Sequence, residues 1–267
     1  MHGWHGKTLT CSNAAIKDAY LALGDFNVIL VDWSDYALDI NFFRVINLSF
    51  ELGKKLNSFT RFLNSITGVR FKDTYLIGHS AGNHIAGITG KQLRPDRYGV
   101  IYALDSSGPV HRRLRDEYRL LPSDAISVES IQTDVGLFGE DTAKIGHASF
   151  YPNWGLGQPH CPNATSMEPI FVCDHFSSLY YFVESLSNPK AFGAIKCKNY
   201  ASIINGTCGC GGRKECPVEV YMGGDPAVPK KGIFYLSTRK SAPRGMGNKC
   251  RMRKPVMPTI QRVRLQN

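Results

Sequence analysis

The chain has 267 residues, 43% of them hydrophobic and 11% aromatic, which is enough to bury the core of one full domain. Its formal net charge is +10, but eleven of the 32 basic residues and none of the 22 acidic ones follow residue 225. No aromatic stacking platform accompanies these basic residues, so the charge does not indicate nucleic-acid binding. No stretch reaches the about 18 apolar residues of a transmembrane helix, so we expect no membrane span.

Two elements are predicted in the first quarter of the chain. Residues 27–31, of which 28–31 are apolar, predict a strand. Residues 41–66 predict a long amphipathic helix, with apolar positions at steps of three and four: Val45, Leu48, Leu52, Leu56, Phe59 and Leu63. Its other face carries Asn47, Glu51, Lys54 and Lys55. The alternation of strands and helices along the chain predicts a mostly parallel, doubly wound α/β sheet.

The most informative motif is Gly78-His79-Ser80-Ala81-Gly82, a G-x-S-x-G pattern. Residues 74–77 before it predict a buried strand, and residues 83–93 after it predict a helix. A sharp strand-to-helix turn strains the residue at its apex and exposes that side chain, and only glycine fits two places to either side. The pattern therefore indicates that Ser80 is a nucleophile.

An acid and a base follow in an informative order. The apolar residues 100–104 predict another buried strand, which ends at Asp105. An acid at the carboxyl end of the next parallel strand lies at the same sheet edge as Ser80. His175 precedes the apolar run 176–186. The order Ser, Asp, His is that of the α/β-hydrolases.

Other residues compete for two of these roles. The chain has eight histidines, and His147 could serve as the base on sequence grounds. Asp134 and Asp174 compete with Asp105 as the acid, although Asp174 adjoins His175 and adjacent side chains usually point apart. His79 and His84 flank the nucleophile, where packed or hydrogen-bonded rings are expected. The residues favour Asp105 and His175.

Six spaced motifs together resemble the pancreatic-lipase family of secreted lipases, especially its short insect-type members, over residues 2 to about 240. They are His2-Gly3-Trp4, Val31-Asp32-Trp33-Ser34, Gly78-His79-Ser80-Ala81-Gly82, Leu104-Asp105-Ser106-Ser107-Gly108-Pro109, Gly146-His147 with Phe150-Tyr151-Pro152-Asn153, and Cys173-Asp174-His175. The resemblance implies an α/β-hydrolase fold with Ser80 as nucleophile, Asp105 as acid and His175 as base.

The resemblance also implies an oxyanion hole formed by the backbone N–H groups of Trp4 and Ala81. Ala81 stands where the family usually has leucine, and Trp154 where it usually has glycine. A backbone donor survives either change. No cofactor and no metal are expected.

The cysteines and glycosylation sequons indicate an extracellular protein. Seven of the eight cysteines lie from residue 161 onward, and sequons begin at Asn47, Asn163 and Asn205. The cluster Cys208, Cys210 and Cys216 could be read as zinc ligands, but in a chain with sequons disulfides are preferred. Partly by family resemblance, the expected pairs are Cys161–Cys173, Cys197–Cys208 and Cys210–Cys216. Cys11 and Cys250 have no obvious partner.

The predicted function is a secreted serine carboxylic-ester hydrolase that acts on glycerolipids. The alternative is a catalytically silent lipid-binding or yolk-storage protein of the same fold. Residues 1–238 are expected to form the hydrolase domain. Residues 239–267 are expected to form a poorly ordered basic tail, either solvated or attracted to anionic phospholipid surfaces.

Two further expectations concern the substrate and the start of the chain. Eleven residues separate Cys161 from Cys173, and this loop resembles a short lid, which favours phospholipase A1-like activity over triglyceride hydrolysis. No signal peptide precedes His2-Gly3-Trp4. In the fold that the sequence resembles, a strand leading into this turn lies in mid-sheet. The chain is therefore predicted to lack N-terminal strands and to fold poorly alone.

Overall fold

The computed structural model describes residues 1–6, 11–108, 110–140, 145–162, 170–209 and 216–252. Within these ranges the α-helices are α1 (Cys11–Leu23), α2 (Ser34–Ala37), α3 (Phe42–Thr67), α4 (Ala81–Leu93), α5 (Ile170–Ser187) and α6 (Tyr200–Ile204). The strands are β1 (Tyr75–His79), β2 (Tyr98–Leu104), β3 (Ala125–Ile131), β4 (Ala148–Pro152), β5 (Gly193–Cys197), β6 (Val220–Tyr221) and β7 (Gly232–Leu236).

The described strands form one seven-stranded sheet in the order β1-β2-β3-β4-β7-β5-β6. Strands β1 to β4 and β7 are parallel, with pairs such as Ile77 with Tyr102 and Phe150 with Phe234. Strand β5 runs antiparallel to β7 and β6. This mostly parallel sheet with flanking helices confirms the predicted α/β-hydrolase class, because parallel neighbours require crossover connections such as these helices.

The core lies on both faces of the sheet. One cluster packs Tyr181 and Phe182 of α5 against Tyr102 and Phe150 of the sheet, and another packs Ala86 of α4 against the opposite face. All seven residues of β2 are buried. This explains why the sequence there is an uninterrupted apolar run rather than an alternating one.

Helix α3 confirms the predicted long helix, but only part of its predicted apolar face is buried, Val45 and Leu56 among it. Asn41 caps its start by accepting a hydrogen bond from the Arg44 N–H at 3.3 Å. Phe59, predicted to be buried, is 40% exposed. Gly53 is buried instead, where an added Cβ would lie 2.5 Å from the Ile88 side chain. The close approach of α4 at this glycine therefore sets which side of α3 is covered.

The prediction of a strand at residues 27–31 is wrong, since that segment has no strand conformation. A strand requires a hydrogen-bonded neighbour, and no described residue pairs with this segment. The free side of β1 is met by Met1 instead. The Met1 amino group donates to the Ile77 carbonyl at 2.8 Å, and the His79 N–H donates to the Met1 carbonyl at 3.1 Å.

Two of the three predicted disulfides are confirmed, Cys161–Cys173 and Cys197–Cys208. Cys216 is also disulfide-bonded, but Cys210 lies outside the described residues, so this pairing stays a prediction. The zinc reading of this cluster is wrong for Cys208, because a sulfur bonded to Cys197 cannot act as a thiolate ligand.

The basic end of the chain is described as far as Met252, and residues 253–267 lie outside the description. The Gly193 N–H donates to the Gly247 carbonyl, and the Cys216 N–H donates to the Cys250 carbonyl. The domain boundary at residue 238 stays a prediction. None of the described helices is long and apolar enough to cross a membrane.

Candidate active site

Ser80 lies in the turn between β1 and α4, with φ 55° and ψ −123°. This is a left-handed region that costs a non-glycine residue energy. Both flanking glycines are required because a side chain at either position would clash with its surroundings. A Cβ at Gly82 would lie 2.6 Å from the carbonyl oxygens of Met1 and His2, and a Cβ at Gly78 would lie 2.6 Å from the Asn83 side chain. The G-x-S-x-G spacing therefore reflects backbone crowding around Ser80.

Asp105 follows β2 at the same carboxyl edge, also with positive φ, 41°. Its carboxylate is fully buried. Oδ1 accepts hydrogen bonds from the N–H groups of Thr133 at 2.6 Å and Asp134 at 3.0 Å. Oδ2 lies 2.5 Å from Nδ1 of His175. These contacts direct one carboxylate oxygen at the imidazole and hold the other in place.

His175 lies in the second turn of α5. Since Asp105 accepts at Nδ1, that nitrogen carries the proton and Nε2 is left as the basic atom. The ring packs against Phe138, with centroids 5.4 Å apart, and against His79 at 4.5 Å. Among the described side chains, no hydrogen bond joins Ser80 Oγ to His175, and such contacts are often long before substrate binds.

The turn from His2 to Gly6 lies directly against Ser80. A Cβ at Gly3 would lie 2.7 Å from Ser80 Cβ and 3.2 Å from Oγ. The Trp4 indole N–H donates to the Asp39 carbonyl at 2.8 Å, and its ring packs on Phe42. Within the described residues, the Trp4 backbone N–H has no acceptor. The Ala81 N–H is also free, because it lies in the first turn of α4.

The competing candidates occupy other positions. His147 precedes β4, at the amino edge of the parallel strands, and its Nδ1 accepts from the Val128 N–H at 3.1 Å. Asp134 is close to Asp105 and His175, but its Oδ2 accepts from the Phe138 N–H at 3.2 Å. Neither replaces the Asp105–His175 pair.

Asp174 points away from the His175 ring. Its carboxylate accepts hydrogen bonds from the N–H groups of Gly157 at 3.0 Å and Gln158 at 2.7 Å. Burial raises the pKa of Asp174 to about 6. Adjacent in sequence to the proposed base, this carboxyl group supports a loop rather than the imidazole.

The sequence analysis missed Gln158, whose buried amide connects several parts of the site. Its Nε2 donates to the carbonyl oxygens of Thr133 at 3.0 Å and Pro152 at 3.1 Å. Its Oε1 accepts from Asn153 at 2.8 Å and from the Tyr181 hydroxyl at 3.0 Å. Thr133 in turn donates to Asp105, so this amide supports the acid. The only signal in the sequence is its position shortly after the Phe150-Tyr151-Pro152-Asn153 motif.

Trp154 departs from the glycine usual in the resembling family. Its φ is 67°, in the left-handed region that glycine adopts without strain. The carbonyl of Trp154 accepts from the Tyr200 hydroxyl at 2.9 Å, and its ring packs near Tyr235. The backbone conformation therefore explains the usual glycine, and these contacts hold tryptophan in its place.

The chain is similar to known lipases along most of its length. A family model described as Lipase matches residues 1–244. The chain is 34% identical to lipase member H of Danio rerio over 201 residues, which are 74% of this chain and 44% of the relative.

Similar values hold for two mammalian proteins. The chain is 33% identical to lipase member H of Mus musculus over 206 residues, 76% of this chain and 45% of the relative. It is 33% identical to phospholipase A1 member A of Bos taurus over 235 residues, which are 85% of this chain and 50% of the relative. The chain thus spans about half the length of the curated relatives it matches. With the family model covering nearly the whole chain, this protein belongs to the lipase family.

Proposed function

We propose that this protein is a secreted serine carboxylic-ester hydrolase that cleaves acyl esters of glycerolipids, with phospholipids preferred over triglycerides. One observation carries the proposal. Ser80 is held in a strained turn at the sheet edge where Asp105 contacts His175 at 2.5 Å. A nucleophile, a base and an orienting acid on adjacent elements are what acyl transfer requires.

In the proposed reaction, Ser80 Oγ attacks the ester carbonyl while Nε2 of His175 takes its proton. Asp105 keeps the imidazole in the required tautomer and stabilises the imidazolium. The free N–H groups of Trp4 and Ala81 would donate to the oxyanion, a contribution worth several kcal/mol for such donors. His175 then returns the proton to the leaving alcohol, and water hydrolyses the acyl-enzyme by the same steps. This chemistry needs no cofactor.

The preference for phospholipid is supported by the loop closed by the Cys161–Cys173 disulfide. Only eleven residues separate the two cysteines, and most of that loop lies outside the described residues. A short loop can cover less apolar surface beside Ser80, so a polar head group meets less hindrance. Similarity to a protein named phospholipase A1 member A supports the same preference.

Secretion is supported by the disulfides, which persist in oxidising compartments. Asn47 and Asn205 are exposed, as glycosylated asparagines must be, while Asn163 lies outside the described residues. Attraction of the basic tail to anionic lipid, without nucleic-acid binding, stays part of this proposal.

The test is a substrate panel with full-length secreted protein, comparing phosphatidylcholine vesicles, a long-chain triglyceride emulsion and galactolipid. Ser80→Ala, prepared in parallel, is the blank. We expect fatty-acid release to be fastest from the phospholipid and to fall by about 10⁴–10⁶ in Ser80→Ala. Triglyceride turnover with negligible phospholipid cleavage would overturn the preference. Binding of lipid without any turnover would favour the catalytically silent alternative.

A further inference from the structure

His79, the residue immediately before the nucleophile, contacts the proposed base directly. It is the last residue of β1 and is 5% exposed. Its Nε2 lies 3.1 Å from the backbone carbonyl oxygen of His175. Its ring centroid lies 4.5 Å from that of His175 and 4.9 Å from that of Phe176. The side chain therefore meets both the backbone and the ring of residue 175.

The direction of this hydrogen bond is fixed by its partner. A carbonyl oxygen only accepts, so Nε2 of His79 carries the proton and donates. Burial, together with the neighbouring His175, holds the pKa of His79 well below its usual value. The ring is therefore a neutral donor, and it adds no second positive charge beside His175 when that residue takes a proton.

The other contacts of His175 do not fix the distance between His175 and Ser80. The bond to Asp105 orients the imidazole relative to the loop after β2. The Ser178 hydroxyl also donates to the His175 carbonyl, at 3.3 Å, but it belongs to the same helix. Packing of Phe176 and its neighbours is apolar and tolerates sliding, whereas a hydrogen bond is directional. His79 is adjacent to Ser80 and connects β1 to α5.

We propose that His79 is a positioning residue, which sets the distance between Ser80 Oγ and His175 Nε2 by tying α5 to the end of β1. The inference rests on the proposed function, since it assigns a role within the same site. Displacements of about 1 Å in a reacting pair can cost about 10²-fold in rate. Loss of this hydrogen bond is therefore expected to lower kcat and to leave KM nearly unchanged.

The test compares His79→Phe with His79→Gln in the full-length protein. Phenylalanine keeps a ring against His175 but removes the donor, while the amide nitrogen of glutamine reaches close to the position of Nε2. We expect His79→Phe to lower kcat on a soluble ester about 10- to 100-fold, with KM within about twofold. His79→Gln should recover kcat to within about fivefold of the natural enzyme.

His84→Phe is the matched control. His84 is also buried, and its Nε2 lies 2.8 Å from the Ser107 carbonyl oxygen, while its Nδ1 accepts from the Leu120 N–H at 3.1 Å. This change therefore removes a similar hydrogen bond, and one more, without touching a contact of His175. We expect it to lower Tm at least as much as His79→Phe, with kcat per folded molecule within about threefold. If His79→Phe does not fold, His79→Met, which lacks both ring and donor, is measured in its place.

Three outcomes would overturn the proposal. The first is full kcat in His79→Phe or its substitute. The second is an equal loss of kcat in His79→Gln and His79→Phe. The third is a loss of kcat that follows the loss of Tm in the same way in the variants of His79 and of His84. Failure of the proposed function gives a different result. In that case the natural protein shows no turnover, or Ser80→Ala remains active, whatever the variants of His79 do.

Discussion

The two edges of the parallel sheet differ in backbone strain. Among the residues that the structure describes, the non-glycine residues with positive φ are His5, Ser80, Asp105, Asn153 and Trp154. Four of the five directly follow the carboxyl ends of β1, β2 and β4, and the fifth lies in the turn beside Ser80. Among the described residues, none lies at the amino edge. The contacts at that edge include the ion pair of Lys91 with the buried carboxylate of Asp124.

This difference suggests separate roles for the two edges, catalysis at the carboxyl edge and stability at the amino edge. Strained backbone costs about 1–3 kcal/mol per residue and persists only where the surroundings impose it. Here the surroundings include the turn of Gly3, which crowds Ser80, and the Gln158 amide, which supports the Asp105 loop. We therefore expect substitutions at the carboxyl edge to affect catalysis, and substitutions at the amino edge to affect stability alone.

The largest expected effect is that of Asp105→Asn, which should lower kcat about 10⁴-fold because an amide no longer favours the required tautomer of His175. His147→Ala, at the amino edge, should leave kcat within a few-fold. Both are measured with a soluble ester at matched folded concentration. If Asp134→Asn loses activity and Asp105→Asn does not, the assignment of the acid is wrong.

A smaller effect is expected for Gly82→Ala, which should lower the free energy of unfolding by about 2–4 kcal/mol. The added Cβ would lie 2.6 Å from two carbonyl oxygens. Gly68, at the end of α3, has φ 71° and nothing within 4 Å of such a Cβ. Gly68→Ala should therefore cost only the backbone strain, about 1–2 kcal/mol. Urea denaturation compares the two, and equal costs would refute crowding as the reason for Gly82.

The smallest effect concerns pH. Because burial raises the pKa of Asp174 to about 6, the folded state binds this proton more tightly than the unfolded chain, whose pKa is about 4. Its contribution to stability is present below pH 4 and is lost as pH rises through 6, a change of about 2–3 kcal/mol. Asp174→Asn should flatten the free energy of unfolding across this range. The free energy of unfolding is measured by urea denaturation at several pH values from 4 to 7. If it depends on pH in Asp174→Asn as it does in the natural protein, the prediction is contradicted.

The turn at Ser80 could be predicted because its strand, turn and helix are contiguous in the chain, so the pattern is read together with the strand before it and the helix after it. The crowding is local only in part: Gly78 is crowded by Asn83, but Gly82 is crowded by the carbonyl oxygens of Met1 and His2, far away in the chain. The disulfides Cys161–Cys173 and Cys197–Cys208 also close short loops, and their pairing was predicted partly from the family resemblance. The polar network of Gln158 could not be predicted, because its partners come from three separate segments of the chain.

The wrong predictions have the same physical origin. The segment 27–31 has the composition of a strand, but strand formation depends on a neighbour that composition does not identify. The periodicity of α3 gave a helix of the right length, but which side is buried depends on the close approach of α4 at Gly53.

The sequence by itself determined the class of fold, the strained turn at Ser80 and the order of the three proposed catalytic residues. It favoured His175 over His147 as the base, but His147 also follows a plausible pattern. The tertiary structure separates them, since His147, directly before β4, lies at the amino edge of the parallel strands, whereas Asp105, which contacts His175, lies with Ser80 at the carboxyl edge. Distances between segments far apart in the chain are set by packing of the whole sheet, and those distances decide which histidine meets the acid.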